Sequence, residues 1–323
     1  MATVAPIPDL RPLSLSELLD RTFTYYRRNF WLFVGIMAIP QLFVIAMSIL
    51  FEEIQYLGRS APSAAWPADW LTPQMIIGMV AGGLVFLLIY LVVYLFAQGA
   101  TALAVSEVHL GRTPTIRGSY QEMRKHLWRL FLLMNAIGLR LLGVGMLLIG
   151  GIAAIGFAAG LMSSNTLAGA LGVLCGVLAI LAAIVLFFLL GLRYSLSTPA
   201  LLLENLKAGE AIRRSVFLAR GNLGRIFLMS FLMSMVSWTA SAICQGPFMV
   251  LAAVLAIKSK GVVPMWVSVP GDVAAGVGRA LGAPLLMIGL ALIYYDARVR
   301  KEGFDLQHML EAIDPQGAKP NQP

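Results

Sequence analysis

LAILAAIVLFFLL, residues 178–190, runs without a single polar or charged side chain. A helix built from it has no face for water, so its surroundings are apolar on every side. Outward from this core the apolar stretch reaches roughly 167–203, and five others match it, at about 29–51, 75–105, 127–161, 223–257 and 273–296. Each meets the roughly 20 residues a helix needs to cross a hydrocarbon layer of about 30 Å. Hydrophobic residues fill 59% of the 323 positions and charged residues 12%, where a soluble domain has about 45–50% and about 25%. The expected fold is an all-α integral membrane protein with six transmembrane helices.

A pattern recurs three times at a spacing of 96 to 97 residues: a short amphipathic helix with a basic end, then two apolar segments closed by an acid. Its helical face reads Leu15, Leu18, Leu19, Thr22, Phe23 and Tyr26; then Arg112, Thr115, Ile116, Ser119, Tyr120 and Met123; then Ala208, Ala211, Ile212, Ser215, Val216 and Ala219. Steps of three and four residues trace one face of a helix. The chain therefore divides into an N-terminal tail over 1–11, one six-span membrane domain over 12–302 with repeats of about 12–108, 109–205 and 206–302, and a C-terminal tail over 303–323. Three modules that each start and return on one side predict a pseudo-threefold bundle with three amphipathic helices on the cytoplasmic side.

Charge sets the expected orientation. Of 24 Lys and Arg, 18 lie in the N-terminal segment, the connections between spans two and three and between four and five, and the C-terminal tail, while Arg59, Lys258 and Lys260 lie opposite. The positive-inside rule then puts both termini in the cytoplasm. The first apolar run is too long for a signal-peptide core, and nothing near it reads as cleaved. The net charge of +8 suits anionic headgroups and offers no basic face on a soluble domain for nucleic acid. Trp66, Trp70 and Trp266 in the outer connections suit anchoring at the interface.

Ser14 with Glu17 three residues on reads as a capping box that starts the first inner helix. Such a helix either lies flat on the membrane or packs its Thr22, Ser119 and Ser215 position against the spans, and the repeated small hydroxyl favours packing. Pro40, Pro247 and Pro284 are expected to kink their spans. GxxxG pairs at Gly78 and Gly82, Gly156 and Gly160, Gly172 and Gly176, and Gly278 and Gly282 predict close helix contact, within the chain or between copies. Cys175 and Cys244 fall in apolar spans and read as small packing residues, not as a disulfide or metal pair.

Three arginines, Arg140, Arg193 and Arg279, fall within spans, and a charge there costs roughly 2.5–3.5 kcal/mol near the centre. No Asp or Glu lies well inside a span; Glu107, Glu204 and Asp296 sit at the inner ends of spans two, four and six. Arg279 and Arg193 lie close enough to span ends to snorkel. Arg140, with Asn135, Gln98, Gln245 and Arg193, makes a candidate pocket for an anion such as a lipid phosphate; the alternative is hydrogen bonding to helix carbonyls and polar side chains. No HExxH, GxSxG, phosphate-binding glycine loop or carboxylate pair appears, so no cofactor, metal or catalytic residue is expected. A coupled transporter would want a buried carboxylate or broken helix near the midplane.

Both ends of the membrane region, LSLSELLDRTFTYYRRNFWLFVGIMAIPQL at 13–42 and ALIYYDARVRKEGFDLQHML at 291–310, with GEAIRRSVFLARGN at 209–222 between them, resemble the bacterial glycerophosphoryl diester phosphodiesterase membrane domain. In that family the membrane domain is sometimes fused to a soluble phosphodiesterase. Here the segment after span six, 297–323, is too short for a barrel-type catalytic domain and does not carry that domain's set of histidines and metal-binding acids. The resemblance thus implies a membrane domain without the enzyme, multi-pass in a bacterial inner membrane. The expected function is non-enzymatic: binding or organising envelope lipids, anionic ones foremost, or a partner membrane protein or second copy. The alternative is a permease or flippase subunit for an amphiphilic anion, which requires a water-accessible cavity around Arg140 and Arg193.

Overall fold

In the computed structural model, residues 13–59, 73–161, 166–258 and 263–302 are described, and every regular element among them is an α-helix. In chain order these are α1 (Leu15–Arg28), α2 (Phe30–Arg59), α3 (Pro73–His109), α4 (Ile116–Leu161), α5 (Thr166–Tyr194), α6 (Ser197–Leu203), α7 (Ala208–Ala219), α8 (Leu223–Lys258) and α9 (Met265–Glu302). Among the described residues six segments are long and apolar enough to cross a membrane: Phe30–Leu50, Ala81–His109, Ile116–Ala158, Gly169–Leu203, Leu223–Lys258 and Met265–Glu302. Leu139, Leu178, Ile243 and Ile257 are each more than half exposed along these segments. So much uncovered aliphatic surface belongs in lipid.

Local chemistry sets the helix ends. Glu17 N–H donates to Ser14 Oγ at 3.3 Å and Ser14 N–H to Glu17 Oε2 at 2.7 Å, which closes the capping box. Replacing Ser14 with Ala is expected to cost about 1 kcal/mol, read as a lower unfolding midpoint in detergent. Asn29 interrupts the chain between α1 and α2, its amide donating to Tyr25 O at 3.2 Å. Between α7 and α8 the break falls at Gly221, whose φ of +81° favours glycine. The second repeat differs. The sequence pattern divides 116–161 into a short helix and a span, whereas α4 runs through both without a break. Lys125, His126 and Leu127 stand where the other copies have Asn29 and Gly221 close by, and they are ordinary helix residues.

Span four breaks instead, between α5 and α6. Pro199 has no N–H for the carbonyl of Ser195, and its ring crowds that carbonyl, so a new helix starts at Ser197 with the proline in its first turn. Pro40, Pro247, Pro270 and Pro284 lie inside helices that continue through them. Trp266, expected in an outer connection, lies in the first turn of α9 and is 65% exposed. Trp66, Trp70 and Lys260 lie outside the described residues.

The described residues fall into two compact units, one within 1–127 and 228–293, the other within 128–227 and 294–323. In the first, Leu18 and Thr22 of α1 are fully buried, as are Phe33, Ile36 and Met37 of α2. Three phenols tie its elements together: Tyr25 to His109 Nδ1 at 3.1 Å, Tyr26 to Leu281 O at 2.7 Å and Tyr120 to Ile36 O at 2.7 Å. Burial pushes Tyr26 up to about 12, so its O–H stays a donor across the physiological range. Gly278 and Gly282 bring α9 against the backbone of α8 at Ser241 and Ser237.

In the second unit α4 and α5 form an antiparallel hairpin. A Cβ on Gly172 would lie 2.5 Å from that of Ala158, and one on Gly151 would lie 3.0 Å from Ile180 Cγ1. Further along the same register Arg140 meets Tyr194 and Arg129 meets Asn205. Most of α6 is buried, and α7 buries Ala211, Ile212, Ser215, Leu218 and Ala219. Asn205, in the left-handed region at φ +53°, makes the turn between them; asparagine tolerates that conformation better than most residues.

Candidate functional site

Arg140 projects from α4 as an exposed side chain. Its Nη1 donates to Ala136 O at 2.8 Å, one turn back, and the guanidinium carbon stands 6.0 Å from the centre of the Tyr194 ring. A guanidinium has five N–H donors. One is used within the helix, and the ring beneath favours a cation without consuming a donor. The backbone-bonding alternative thus accounts for a single N–H.

Asn135, also exposed, donates to Phe131 O at 2.9 Å. Five residues separate it from Arg140, about 140° around the helix, so the two polar groups serve different faces. Arg193 adjoins Tyr194; its side chain is exposed and its carbonyl accepts Ser215 Oγ–H at 2.6 Å. The second unit thus brings Arg140 to the end of α5 that carries Arg193, with Asn135 turned aside. Gln98 is half-buried in the first unit.

Arg279 has a partner that the sequence reading missed. Its Nε donates to Gln41 Oε1 at 3.1 Å, and Gln41 is 4% exposed. The signal was present as the one amide in span one, directly after Pro40. What hid it was 238 residues of chain between the two.

A dense polar cluster also escaped the sequence reading, where the ends of α6 and α9 meet the middle of α7 in the second unit. Glu204 Oε1 accepts Arg214 Nε–H at 3.0 Å, Arg214 Nη2–H at 2.8 Å and the Tyr294 hydroxyl at 2.5 Å. Arg298 Nε lies 3.5 Å from the same oxygen. Arg214 also pairs with Glu302, and hydrogen bonds to the two carboxylates hold its guanidinium above the usual arginine range. Beside them Asp296 pairs with Arg225 at 3.3 Å and Arg300 at 2.9 Å, and Lys301 donates to Phe217 O. The acids that close spans four and six therefore serve the arginines around α7. Every charged group named here has its partner, so this cluster holds elements together and offers little to a ligand.

Among the described residues no group of three or more His, Cys, Asp or Glu is placed to hold a metal ion. Cys175 and Cys244 are free thiols, and Cys175 is exposed on α5. A family model described as Domain of unknown function (DUF7847) matches residues 15–296. No curated protein and no solved structure matches the chain.

Proposed function

The chain belongs to the DUF7847 family, and from that premise we propose that it is a non-enzymatic multi-pass protein of the bacterial inner membrane that binds anionic lipid headgroups and organises the lipids or membrane proteins around it. The observation that carries this reading is the exposed Arg140 guanidinium, seated over Tyr194 with only one N–H bonded inside its own helix. A phosphate is the acceptor that fits several convergent N–H donors, and exposed Arg193 lies in the same unit at the end of α5. The excess of Lys and Arg on alternate connections supports cytoplasmic termini. Burial of Thr22, Ser119 and Ser215, the small hydroxyl of each repeat, supports three equivalent modules.

Arg140→Leu tests the lipid reading. Hydrogen bonds to a charged group are worth about 1.5–3 kcal/mol, so retention of anionic phospholipid after purification is expected to fall roughly tenfold. Arg140→Lys is expected to restore part of it through charge alone. Helical content should not change, because the residue is exposed. Lipid analysis that finds the same anionic content in wild type and Arg140→Leu removes the reading.

A further inference from the structure

The outer face of α1 carries a feature that the anionic site does not use. Asp20, Phe23, Thr24 and Arg27 succeed one another at the spacing that makes a single stripe along a helix, on the side away from buried Leu18 and Thr22. With Tyr26 and Phe30 they line an open groove of about 420 Å³. Asp20 and Arg27 are both exposed, and neither has a salt-bridge partner among the described residues.

One wall of the groove is aromatic and continues toward the apolar span. Tyr26 meets Phe30 edge-on at 5.5 Å between ring centres, and Phe30 meets Trp31 at 5.3 Å. Trp31 is 81% exposed, and Phe23 is 42% exposed between the two charges. A tryptophan uncovered at the first turn of a membrane span is at home among lipid headgroups. The Tyr26 hydroxyl is already committed to Leu281 O, so the wall contributes its ring faces alone.

From this arrangement we infer a second lipid site, selective for a zwitterionic phospholipid with a primary ammonium headgroup, in which Arg27 takes the phosphate and Asp20 the ammonium. Two turns of helix set the two Cα atoms about 10 Å apart along the axis. Side chains reaching from that spacing along one stripe can hold the phosphate and the ammonium of a single ethanolamine headgroup, each through a hydrogen bond of about 3 Å. The site sums to zero charge, so an anionic lipid gains at Arg27 and loses at Asp20. A choline headgroup has no N–H to give Asp20. The inference rests on the membrane reading of the chain but on residues separate from Arg140.

Native mass spectrometry of the full-length protein, offered equal amounts of phosphatidylethanolamine, phosphatidylcholine and phosphatidylglycerol, tests it. Wild type is expected to retain the ethanolamine lipid over the choline lipid. In Asp20→Asn that preference should shrink roughly fivefold, the loss of about one charge-assisted hydrogen bond. Arg27→Gln should weaken both zwitterionic lipids together. Arg140→Leu should leave the ethanolamine preference intact while reducing phosphatidylglycerol. Equal retention of the two zwitterionic lipids by wild type overturns the inference, as does an undiminished preference in Asp20→Asn. Either result leaves the Arg140 reading to be judged by its own anionic signal. Both groove residues are exposed, so the variants are expected to fold, and circular dichroism checks this.

Discussion

Glu204→Ala is expected to destabilise the protein by about 3 kcal/mol, the lower end of the cost of breaking a buried ion pair. The acceptor removed is a single oxygen, Glu204 Oε1, that serves Arg214 twice, Tyr294 once and lies 3.5 Å from Arg298. Tyr294 is fully buried. Without Glu204 its hydroxyl keeps the desolvation cost of burial and has lost its acceptor, a penalty of about 1–3 kcal/mol by itself. Arg214 would keep Glu302, and its side chain is 21% exposed. Some water reaches it, which is why the upper end of the range is not expected.

Glu204→Gln keeps an acceptor and should recover roughly half of the loss. Tyr294→Phe removes the donor instead of the acceptor, so combining it with Glu204→Ala should cost less than the two changes added together. Thermal or denaturant unfolding in detergent reads all four proteins. A Glu204→Ala midpoint indistinguishable from wild type would show that the cluster does not hold α7 to the end of α9. Its position, with Glu204 and Glu302 on either side of Arg214, makes it the clamp on that helix.

The second large effect is expected at Gly282. A methyl group there would stand 2.6 Å from Ser237 Cα and 2.7 Å from Ser237 Cβ, distances no relaxed contact reaches, and the obstacle is backbone that cannot rotate aside. Gly282→Ala must therefore push α8 and α9 apart in the first unit, at about 2–3 kcal/mol. The shift also stretches the bond from Ser237 Oγ to Gly282 O, now 2.6 Å. Gly278→Ala should behave alike, with Ser241 Cα at 2.5 Å. Gly82→Ala is the control, because nothing lies within 4 Å of its added methyl. There the substitution should be neutral or stabilise slightly by restricting the unfolded chain. If Gly82→Ala and Gly282→Ala shift the unfolding midpoint equally, close approach at α8 and α9 is not what the glycines provide.

That contrast marks a limit of motif reading. Four GxxxG pairs look alike in the sequence, yet a methyl on Gly172, Gly176, Gly278 or Gly282 would collide, and one on Gly78, Gly82, Gly156 or Gly160 would meet nothing within 4 Å. The motif reports that a close approach is permitted, and the rotation of each helix decides whether it occurs. The charged groups tell the same story. Arg279 and Glu204 were visible as residues, but their partners lie 238 residues away at Gln41 and up to 94 residues away at Arg298.

Membrane character, the six apolar segments and the start of α1 at Ser14 were readable from residues alone, because apolar run length and side-chain capping are properties of neighbours in the chain. The continuity of α4 was readable too, had the missing Asn or Gly near His126 been weighed as a missing stop. Tertiary structure alone decided that Arg140 stands over Tyr194, that Arg279 meets Gln41, and that Tyr294 and Arg298 gather on Glu204. Those facts depend on the register and rotation of helices joined by long stretches of chain, and hydrophobic periodicity is blind to both, since a span apolar on every side fits its neighbours in many rotations.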